Sequence, residues 1–301
     1  MTRAARTAVV ARRARGAALA RAACPGLVAW LCAVTSLPAA AQDSVPEWHV
    51  VQPERPTVAT HAYVVAPGVL EIEAGVSALR PAGGAETDLP FVAKFGPAPR
   101  TQLELQWGWT HRREQPTSAP PGAFAGIPAS GLIDVALALK VRVLENAPVL
   151  ANFSVQPALK LPSGSADSVA GTGTGTTDVG LLLISSRSLG RFSLDLNAGE
   201  TWRSGDGTVA PRTATLLTAS GGADLGRGWG FGLEIFDYPG TSGPAGGPPQ
   251  IGLTIGPTHA VRKWIVVDAG AVVNMSGLSA GSLYAGVTWN VGRIPGWPGE
   301  R

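Results

Sequence analysis

Polar and apolar residues alternate with a period of two along most of the chain after residue 68. In 69–79, for example, the even positions are leucine, isoleucine, alanine or valine, whereas Glu71 and Glu73 occupy odd positions. Successive side chains of a β-strand point to opposite faces, so this period predicts strands with one apolar and one polar face. Twelve segments show the pattern: 69–79, 89–95, 100–111, 132–144, 149–161, 178–185, 191–202, 216–225, 229–238, 250–257, 264–274 and 283–292.

Two of these segments, 178–185 and 216–225, alternate less clearly because their apolar residues occupy both phases or are small. No segment combines a 3.6-residue period with helix caps, so the sequence predicts an all-β protein. A soluble barrel or sandwich would alternate in the same way, with its apolar face turned inward. Other features must therefore distinguish a soluble sheet from a membrane barrel.

Strand length and connection length favour an antiparallel transmembrane β-barrel of about 12 strands. Most segments are long enough to span a bilayer when tilted. The connections 96–99, 145–147, 186–190, 226–228 and 260–263 alternate with the longer 80–87, 112–130, 162–177, 203–212, 239–249 and 275–282. Short periplasmic turns and long outer loops around an even number of strands are typical of bacterial outer-membrane barrels.

The chemistry of the two faces points the same way. Charged residues occur in the middle of the polar face, where a dry core would penalise them strongly and a water-filled lumen would not. Aromatic residues favour the apolar face near strand ends, which suits the two interfacial girdles of a membrane barrel. The apolar-face aromatics are Phe91, Phe95, Trp109, Phe192, Trp202, Trp229, Phe231, Trp264 and Trp289.

The first 41 residues have the order of a secretory signal peptide. Six arginines and no acidic residue precede an apolar stretch at 26–37, and Ala39 and Ala41 supply the small residues that a signal peptidase requires. We expect cleavage near Ala41. Residues 42–68, which are rich in proline, then form a periplasmic or lumenal lead segment, 69–292 the barrel, and 293–301 a C-terminal tail.

Removal of this peptide changes the charge and the thiol content of the chain. The whole sequence has 24 basic and 21 acidic residues, and loss of the six arginines leaves 18 basic residues against the same 21 acidic ones. The basic cluster is discarded, which argues against a nucleic-acid partner. Cys24 and Cys32 also lie in the peptide, so the mature chain has no disulfide and no thiolate metal site.

Three motifs follow one another along the chain. They are Glu54-Arg-Pro-Thr followed by Ala66-Pro-Gly-Val-Leu-Glu-Ile-Glu-Ala-Gly75, then Gly131-Leu-Ile-Asp-Val-Ala-Leu-Ala-Leu-Lys140, and Pro157-Ala-Leu-Lys-Leu-Pro-Ser-Gly164. In this order they resemble the "MetA-pathway of phenol degradation" family of outer-membrane transporters. The resemblance implies an outer-membrane channel or transporter for small solutes, aromatic or apolar compounds among them. The chain departs from many outer-membrane barrels in the tail after its last strand, which the barrel-assembly machinery must tolerate.

Charged residues on the polar face are the candidate pore-lining residues: Glu71, Glu73, Glu104, Asp134, Lys140, Arg142, Lys160, Asp178, Asp195, Glu234 and Asp268. Two interpretations stay open for Asp134 and Asp178, which follow long loops: carboxylates that select cations at the mouth, or turn-capping residues. The three cations would form a basic patch near the periplasmic side, opposite glutamates on other strands. Alternatively, they belong to a salt-bridge network that fills the barrel.

These features predict a channel or transporter in the bacterial outer membrane, with outer-membrane lipid and a small-molecule solute as partners and no cofactor. The second hypothesis is a closed structural barrel that acts through its outer loops. A rim-active hydrolase centred on His111 is the third, but a catalytic triad needs a nucleophile and an orienting group, and no Gly-x-Ser-x-Gly motif is present. The chain is therefore not expected to be an enzyme.

Overall fold

A computed structural model describes residues 48–55, 57–79, 84–114, 128–165, 171–208, 210–241, 244–276 and 281–297. The predicted signal peptide, residues 42–47 and most of the predicted outer loop 112–130 lie outside these residues. The described residues form strands joined by turns and loops. No helix within them is long and apolar enough to cross a membrane.

The strands follow the predicted alternation closely and form one antiparallel sheet. They are β1 (Val69–Leu79), β2 (Gly84–Phe95), β3 (Thr101–Glu114), β4 (Ala129–Leu132), β5 (Val135–Ala147), β6 (Ala151–Leu161), β7 (Asp178–Leu189), β8 (Phe192–Arg203), β9 (Thr213–Gly226), β10 (Trp229–Tyr238), β11 (Gln250–Arg262), β12 (Ile265–Ser276) and β13 (Ser282–Arg293). β1 pairs with both β2 and β13, so the sheet closes on itself.

The prediction of twelve strands is confirmed for the part of the chain that the structure describes. β4 and β5 are two pieces of one predicted strand, because both pair with β3 and only Ile133 and Asp134 separate them. The Ile133 amide still donates to the Gly108 carbonyl of β3 (3.0 Å), so the break is local. Closure matters physically because it leaves no unpaired strand edge in the bilayer.

Strand ends differ from the prediction at several places. β2 begins at Gly84 rather than 89, and β11 continues to Arg262 rather than ending at 257. The predicted loop 80–87 is therefore a connection of only four residues, and the predicted turn 145–147 moves to 148–150. The cause is the same in each case: ladder pairing with a neighbour extends through residues that do not alternate.

The barrel has a short-turn end and a long-loop end. Two residues connect β7 to β8, β9 to β10 and β11 to β12, whereas loops of nine or more residues at the opposite end follow β3, β6, β8 and β10. The tightest turns use left-handed backbone: φ is 65° at Gly190 and 55° at Arg227. Strands β1 and β13 also have their chain ends on the short-turn side.

Outward-facing side chains form an apolar belt. Leu103, Leu105 and Trp109 of β3, for example, are 40–46% exposed, while Gln102 and Glu104 on the alternate phase of the same strand are buried. Such an inside-out distribution would be unfavourable in water and suits a hydrocarbon surround. The barrel wall therefore separates a lipid-facing surface from a polar interior.

The C-terminal tail folds back across the short-turn end as far as it is described. The Ile294 amide donates to the Gly68 carbonyl (2.8 Å), and the Trp297 ring packs edge-on against Phe95, with centroids 4.6 Å apart. A Cβ at Gly68 would lie 3.0 Å from Trp297, so the indole sits directly over the start of β1.

Candidate functional site: the barrel lumen

The inner face of the barrel is lined by buried polar side chains. The fully or almost fully buried ones include Glu71, Glu73, Lys94, Lys140 and Glu234. Isolated charges at this depth would be very costly, so each must have a compensating partner. The partners show what occupies the lumen.

Residues 48–68, here called the lumenal segment, supply many of those partners. The Val51 amide donates to the Lys263 carbonyl (3.0 Å), and the Gly68 amide donates to the Gly96 carbonyl (2.7 Å), so both ends of the segment lie at the short-turn end. Between them, the Ala59 amide reaches Glu234 in the middle of β10. The segment thus enters the lumen, turns halfway and returns.

Side chains of the wall hydrogen-bond with the backbone of this segment, as a neighbouring strand would. The Gln52 amide donates to Glu71 Oε2 (2.9 Å), Glu54 N to Glu73 Oε1 (2.7 Å), Val58 N to Glu234 Oε2 (2.9 Å), Thr60 N to Asn197 Oδ1 (2.7 Å), Ala62 N to Ser186 Oγ (2.7 Å) and Val65 N to Gln102 Oε1 (2.9 Å). In the other direction, Ser154 Oγ donates to the Ala62 carbonyl (2.6 Å) and Asn290 Nδ2 to the Trp48 carbonyl (3.0 Å).

Glu54 is bound by one side of the wall. Its carboxylate accepts hydrogen bonds from Lys140 Nζ of β5 and from Gln102 Nε2 of β3 (2.9 Å). Burial alone would raise the pKa of Glu54, but Lys140 and Lys94 outweigh it and hold the pKa well below its ordinary value. Glu54 is therefore an anion locked between two strands.

Arg55 is bound by a different part of the wall. Its Nε lies 3.8 Å from Asp268 Oδ2 of β12, and its Nη2 lies 3.5 Å from the Ala285 carbonyl of β13. A Cβ at Gly75 would lie 2.2 Å from Arg55 Nη2, and one at Gly286 would lie 2.6 Å from Nε. The two glycines therefore form the cradle in which the guanidinium lies.

Adjacent residues of opposite charge thus bind different parts of the wall. Glu54 contacts β3 and β5, whereas Arg55 contacts β12 and β13, and β1 and β2 lie between these two parts. The two ion pairs, here called the crossbar, tie the segment to both parts of the wall. A second ion-pair cluster lies beside it, where Lys94 Nζ approaches Glu71 (2.5 Å) and Glu73 (2.7 Å).

A separate cluster lies toward the long-loop end. Lys160 Nζ approaches Asp134 (2.9 Å) and Asp178 (3.1 Å), and Arg203 Nε lies 3.3 Å from Asp178. Asp134 also accepts the backbone amides of Gly164 (3.1 Å) and Thr174 (2.9 Å). These bonds fasten the loop after β6 to the wall.

The candidate pore-lining residues occupy the inward phase of their strands but do not act as one group. Lys140 and Lys160, which the sequence placed in a shared basic patch, have separate carboxylate partners at different depths, because Lys160 faces Ala136 near the long-loop end of β5. Arg142 pairs with Glu145 at the short-turn rim (2.7 Å). The remaining members lie as follows: Glu71, Glu73, Glu104, Glu234 and Asp268 around the lumenal segment, Asp134 and Asp178 under the loop after β6, and Asp195 bonded to Ser186.

Several residues of the network were not among the candidates. Lys94 could have been found, since it precedes the apolar Phe95 in β2 and so falls on the polar phase. Gln102, Asn197 and Ser186 are uncharged and carry no comparable signal. Arg55 lies in an aperiodic segment, where alternation says nothing about its direction.

Among the described residues, two cavities adjoin the lumenal segment at the short-turn end. The smaller, of about 250 Å³, lies between the two limbs of the segment and is lined by Val65, Pro67 and Arg142, among others. The larger, of about 630 Å³, lies against β8–β11 and is lined by Arg55, Asp195 and Gly232, among others. Glycine on the inward phase of β9 and β10 makes this second cavity wide.

Comparison with solved structures identifies the type of barrel. An outer membrane channel from Pseudomonas putida F1 superposes with a TM-score of 0.60 at 11% identity, over 75% of this chain and 97% of that one. The fold is that of an outer-membrane β-barrel. The NanC porin (TM-score 0.47, 11% identity, 73% and 98% covered) and the CymD monoaromatic hydrocarbon channel (0.44, 9%, 75% and 88%) are more distant. No family model matches the chain, and no curated protein matches it.

His111, the residue of the hydrolase hypothesis, lies on the outward phase of β3 in this outer-membrane barrel. Ser130 of β4 is its cross-strand partner. However, His111 Nε2 accepts from Arg113 Nε (3.0 Å), and Ser130 Oγ accepts from Trp109 Nε1 (3.1 Å). The His111 and Ser130 side chains thus each accept a hydrogen bond from a residue that has no part in the hydrolase hypothesis. Within the described residues, no group of three His, Cys, Asp or Glu side chains could hold a metal ion.

Proposed function

We propose that the protein is an outer-membrane channel for small solutes. Its lumen is closed toward the short-turn end by its own lumenal segment. The observation that carries this proposal is the chemistry of the contact between segment and wall. Besides a few buried apolar side chains, the segment is held by hydrogen bonds and ion pairs, among them the Glu54–Lys140 and Arg55–Asp268 pairs. Such contacts can be exchanged for water when the segment moves.

A permanently closed barrel would have little reason to keep so many buried charges. Replacement of a buried ion pair by well-packed apolar residues is often neutral or stabilising, so ion pairs are a poor choice where only stability matters. A polar lumen also passes water and solutes once it opens. The resemblance to the phenol-degradation transporters supports aromatic or apolar compounds as candidate solutes, with the loop after β6 and the inward charges setting specificity.

Single-channel conductance of the refolded mature chain in a planar bilayer tests the proposal. The change is the combined Glu54→Gln and Arg55→Gln variant, which removes both ends of the crossbar. We expect discrete current steps whose open probability rises about tenfold or more in the variant, since loss of buried pairing worth more than about 1.4 kcal/mol gives that factor.

The matched control is the combined Glu145→Gln and Arg100→Gln variant. These two residues form an exposed ion pair at the short-turn end (3.2 Å), so the variant also removes one acid and one base but leaves the contacts of the segment in place. Its open probability should stay near that of the unmodified protein. If the mature chain, the crossbar variant and a 69–301 truncation are all silent while each shows a heat-modifiable folded band, the channel proposal is wrong.

One observation favours the second candidate, a closed barrel that acts through its outer loops. The loops after β8 and β10 are joined by a hydrogen bond from the Ala245 amide to the Gly207 carbonyl (2.9 Å), and Arg112 Nη2 donates to the Gly171 carbonyl. Connected loops of this kind give a stable outer surface. Silence in the conductance experiment would select this candidate, whereas a hydrolytic activity lost in His111→Ala would select the rim hydrolase.

A further inference from the structure

Three connections at the short-turn end, and the end of β13 beside them, repeat one combination of residues. Each places an arginine within a few positions of an outward aromatic residue. The combinations are Arg191 with Phe192, Arg227 with Trp229, Arg262 with Trp264, and Arg293 with Trp289. They occur at the successive connections between β7 and β12 and at the end of β13, and are here called the arginine rim.

The aromatic members fix the depth of the arginine rim in the membrane. Phe192, Trp229, Trp264 and Trp289 are between 43% and 53% exposed on the lipid-facing surface. Aromatic rings at strand ends lie at the level of the lipid headgroups. The arginines lie in the same connections or within four residues of these rings, and therefore at the level where phosphates are found.

The four guanidinium groups have no carboxylate partner in the described part of the chain. Arg191 lies over the Phe192 ring (5.4 Å to the centroid) and Arg293 over the Trp48 ring (5.1 Å). Ring contacts orient a guanidinium without occupying all of its N–H donors. At the long-loop end, Arg112, Lys160 and Arg203 are ion-paired, whereas Arg113 and Arg212 donate to His111 and to the Gly205 carbonyl.

The surroundings of the arginine rim are strongly basic although the mature chain is mildly acidic. Described charges of the short-turn rim on or near the outer surface are Arg100, Arg187, Arg191, Arg227, Arg262, Lys263 and Arg293 against Glu145 and Asp224. Glu145 is already paired with Arg100 and Arg142, and Asp224 accepts the Gly226 amide (2.8 Å). The excess positive charge therefore faces the headgroup layer.

We propose that the arginine rim binds the phosphates of anionic phospholipids in the leaflet at the short-turn side. A guanidinium presents paired N–H donors that match two oxygens of a phosphate. Strands are about 4.8 Å apart, so arginines on alternate connections are roughly 10 Å apart and can each hold a different headgroup. The apolar belt and the aromatic rings hold the acyl chains of the same lipids.

Lipid retention measured by native mass spectrometry tests this inference. The refolded mature protein in neutral detergent is titrated with phosphatidylglycerol or phosphatidylcholine, and the bound lipids are counted. We expect phosphatidylglycerol to bind at least about tenfold more tightly. Each cation near an anionic lipid surface is worth about fivefold in affinity, so Arg191→Gln with Arg227→Gln should reduce phosphatidylglycerol affinity about tenfold or more.

The control is Arg113→Gln with Arg212→Gln, two exposed arginines of the long-loop end, which should leave the affinity nearly unchanged. Equal retention of both lipids, or equal losses in the two variants, would overturn the inference. Displacement of phosphatidylglycerol by millimolar inorganic phosphate, in an arginine-dependent way, would also overturn it by showing a site for free phosphate. The result does not depend on conductance, so a silent channel would leave the inference intact.

Discussion

Inward carboxylates outnumber inward cations among the candidate residues, and the lumenal segment explains the imbalance. Eight of the eleven candidates are acidic. Three of those, Glu71, Glu73 and Glu234, accept backbone amides of the segment, and Asp268 faces Arg55. An excess of carboxylates on a buried face thus indicates that hydrogen-bond donors or cations from elsewhere must pair with them. The sequence did not show that the lumenal segment supplies them.

His61 makes the seating of the segment dependent on pH. Burial lowers the pKa of its imidazole to about 4, although Glu54 acts in the opposite direction. Neither ring nitrogen has a hydrogen-bond partner among the described residues. The imidazole is therefore neutral when the segment is seated, and it takes up a proton more readily when the segment is released.

We expect the open probability of the channel to rise as pH falls from about 6.5 to 4. In that window the released state binds more protons than the seated state, so seating is stable above the ordinary histidine pKa and weakens as pH falls toward the lowered one. The lost free energy is at most about 3 kcal/mol. Conductance measured against pH should show the slope in the unmodified protein and lose it in His61→Gln; a slope retained in that variant would contradict the assignment.

At the scale of single strands, glycine on the inward phase allows large rings to lie flat against the wall. The Tyr284 hydroxyl of β13 donates to the Ile255 carbonyl (3.2 Å). A Cβ at Gly270 would lie 2.2 Å from that hydroxyl oxygen, and one at Gly256 would lie 2.6 Å from it. The Tyr284 side chain of β13 thus packs against glycines of both β11 and β12 and connects the three strands.

Gly270→Ala should destabilise the barrel by about 1–3 kcal/mol, because the added methyl group overlaps the Tyr284 ring and the Ile255 carbonyl. Urea unfolding, followed by the heat-modifiable shift on a gel, measures the change. Gly232→Ala is the control, since a Cβ there would meet its nearest atom at 3.9 Å. If both variants unfold at the same urea concentration, the tyrosine contact contributes nothing.

Most strands could be predicted because alternation records the two environments of a barrel wall. It failed in Gly84–Asp88, where the polar residues of β2 continue pairing beyond the apolar belt, and at Ile133 and Asp134, where a loop-binding carboxylate interrupts the strand. The weak alternation of 178–185 also has a cause: Ile184 is inward and fully buried. Local sequence reports exposure well, but it does not report contacts across the lumen.

On the scale of the whole molecule, the lumenal segment and the barrel are two bodies joined at Gly68. The segment contacts residues that lie up to 242 positions further along the chain, and Ser186 and Glu234 are 124 and 176 positions from their partners. No pattern within residues 48–68 indicates these partners. The sequence left open whether the segment lies in the lumen or in the periplasm. Its contacts became visible only in the structure of the closed barrel.

A disulfide between the two bodies should hold the channel shut. Ala62 and Ser186 are in direct contact, since the Ala62 amide donates to Ser186 Oγ (2.7 Å). The only cysteines, Cys24 and Cys32, lie in the predicted signal peptide, so Ala62→Cys with Ser186→Cys introduces the single pair of the mature chain. Current steps should disappear on oxidation and return on reduction, while either single variant stays insensitive. Unchanged currents in the oxidised double variant would show that conduction does not need movement at this point.

Both ends of the lumenal segment lie at the same mouth, and this sets an order of assembly. The segment is made before every strand, yet its binding partners on β7, β8 and β10 are far later in the chain and are in place only when those strands are paired. Contacts of such long sequence separation form late. Since the chain enters and leaves on one side, it can be inserted as a hairpin into a finished barrel without threading. We therefore expect the first part of the mature chain to be the last to reach its place, after an interval in which the barrel stands empty in the membrane.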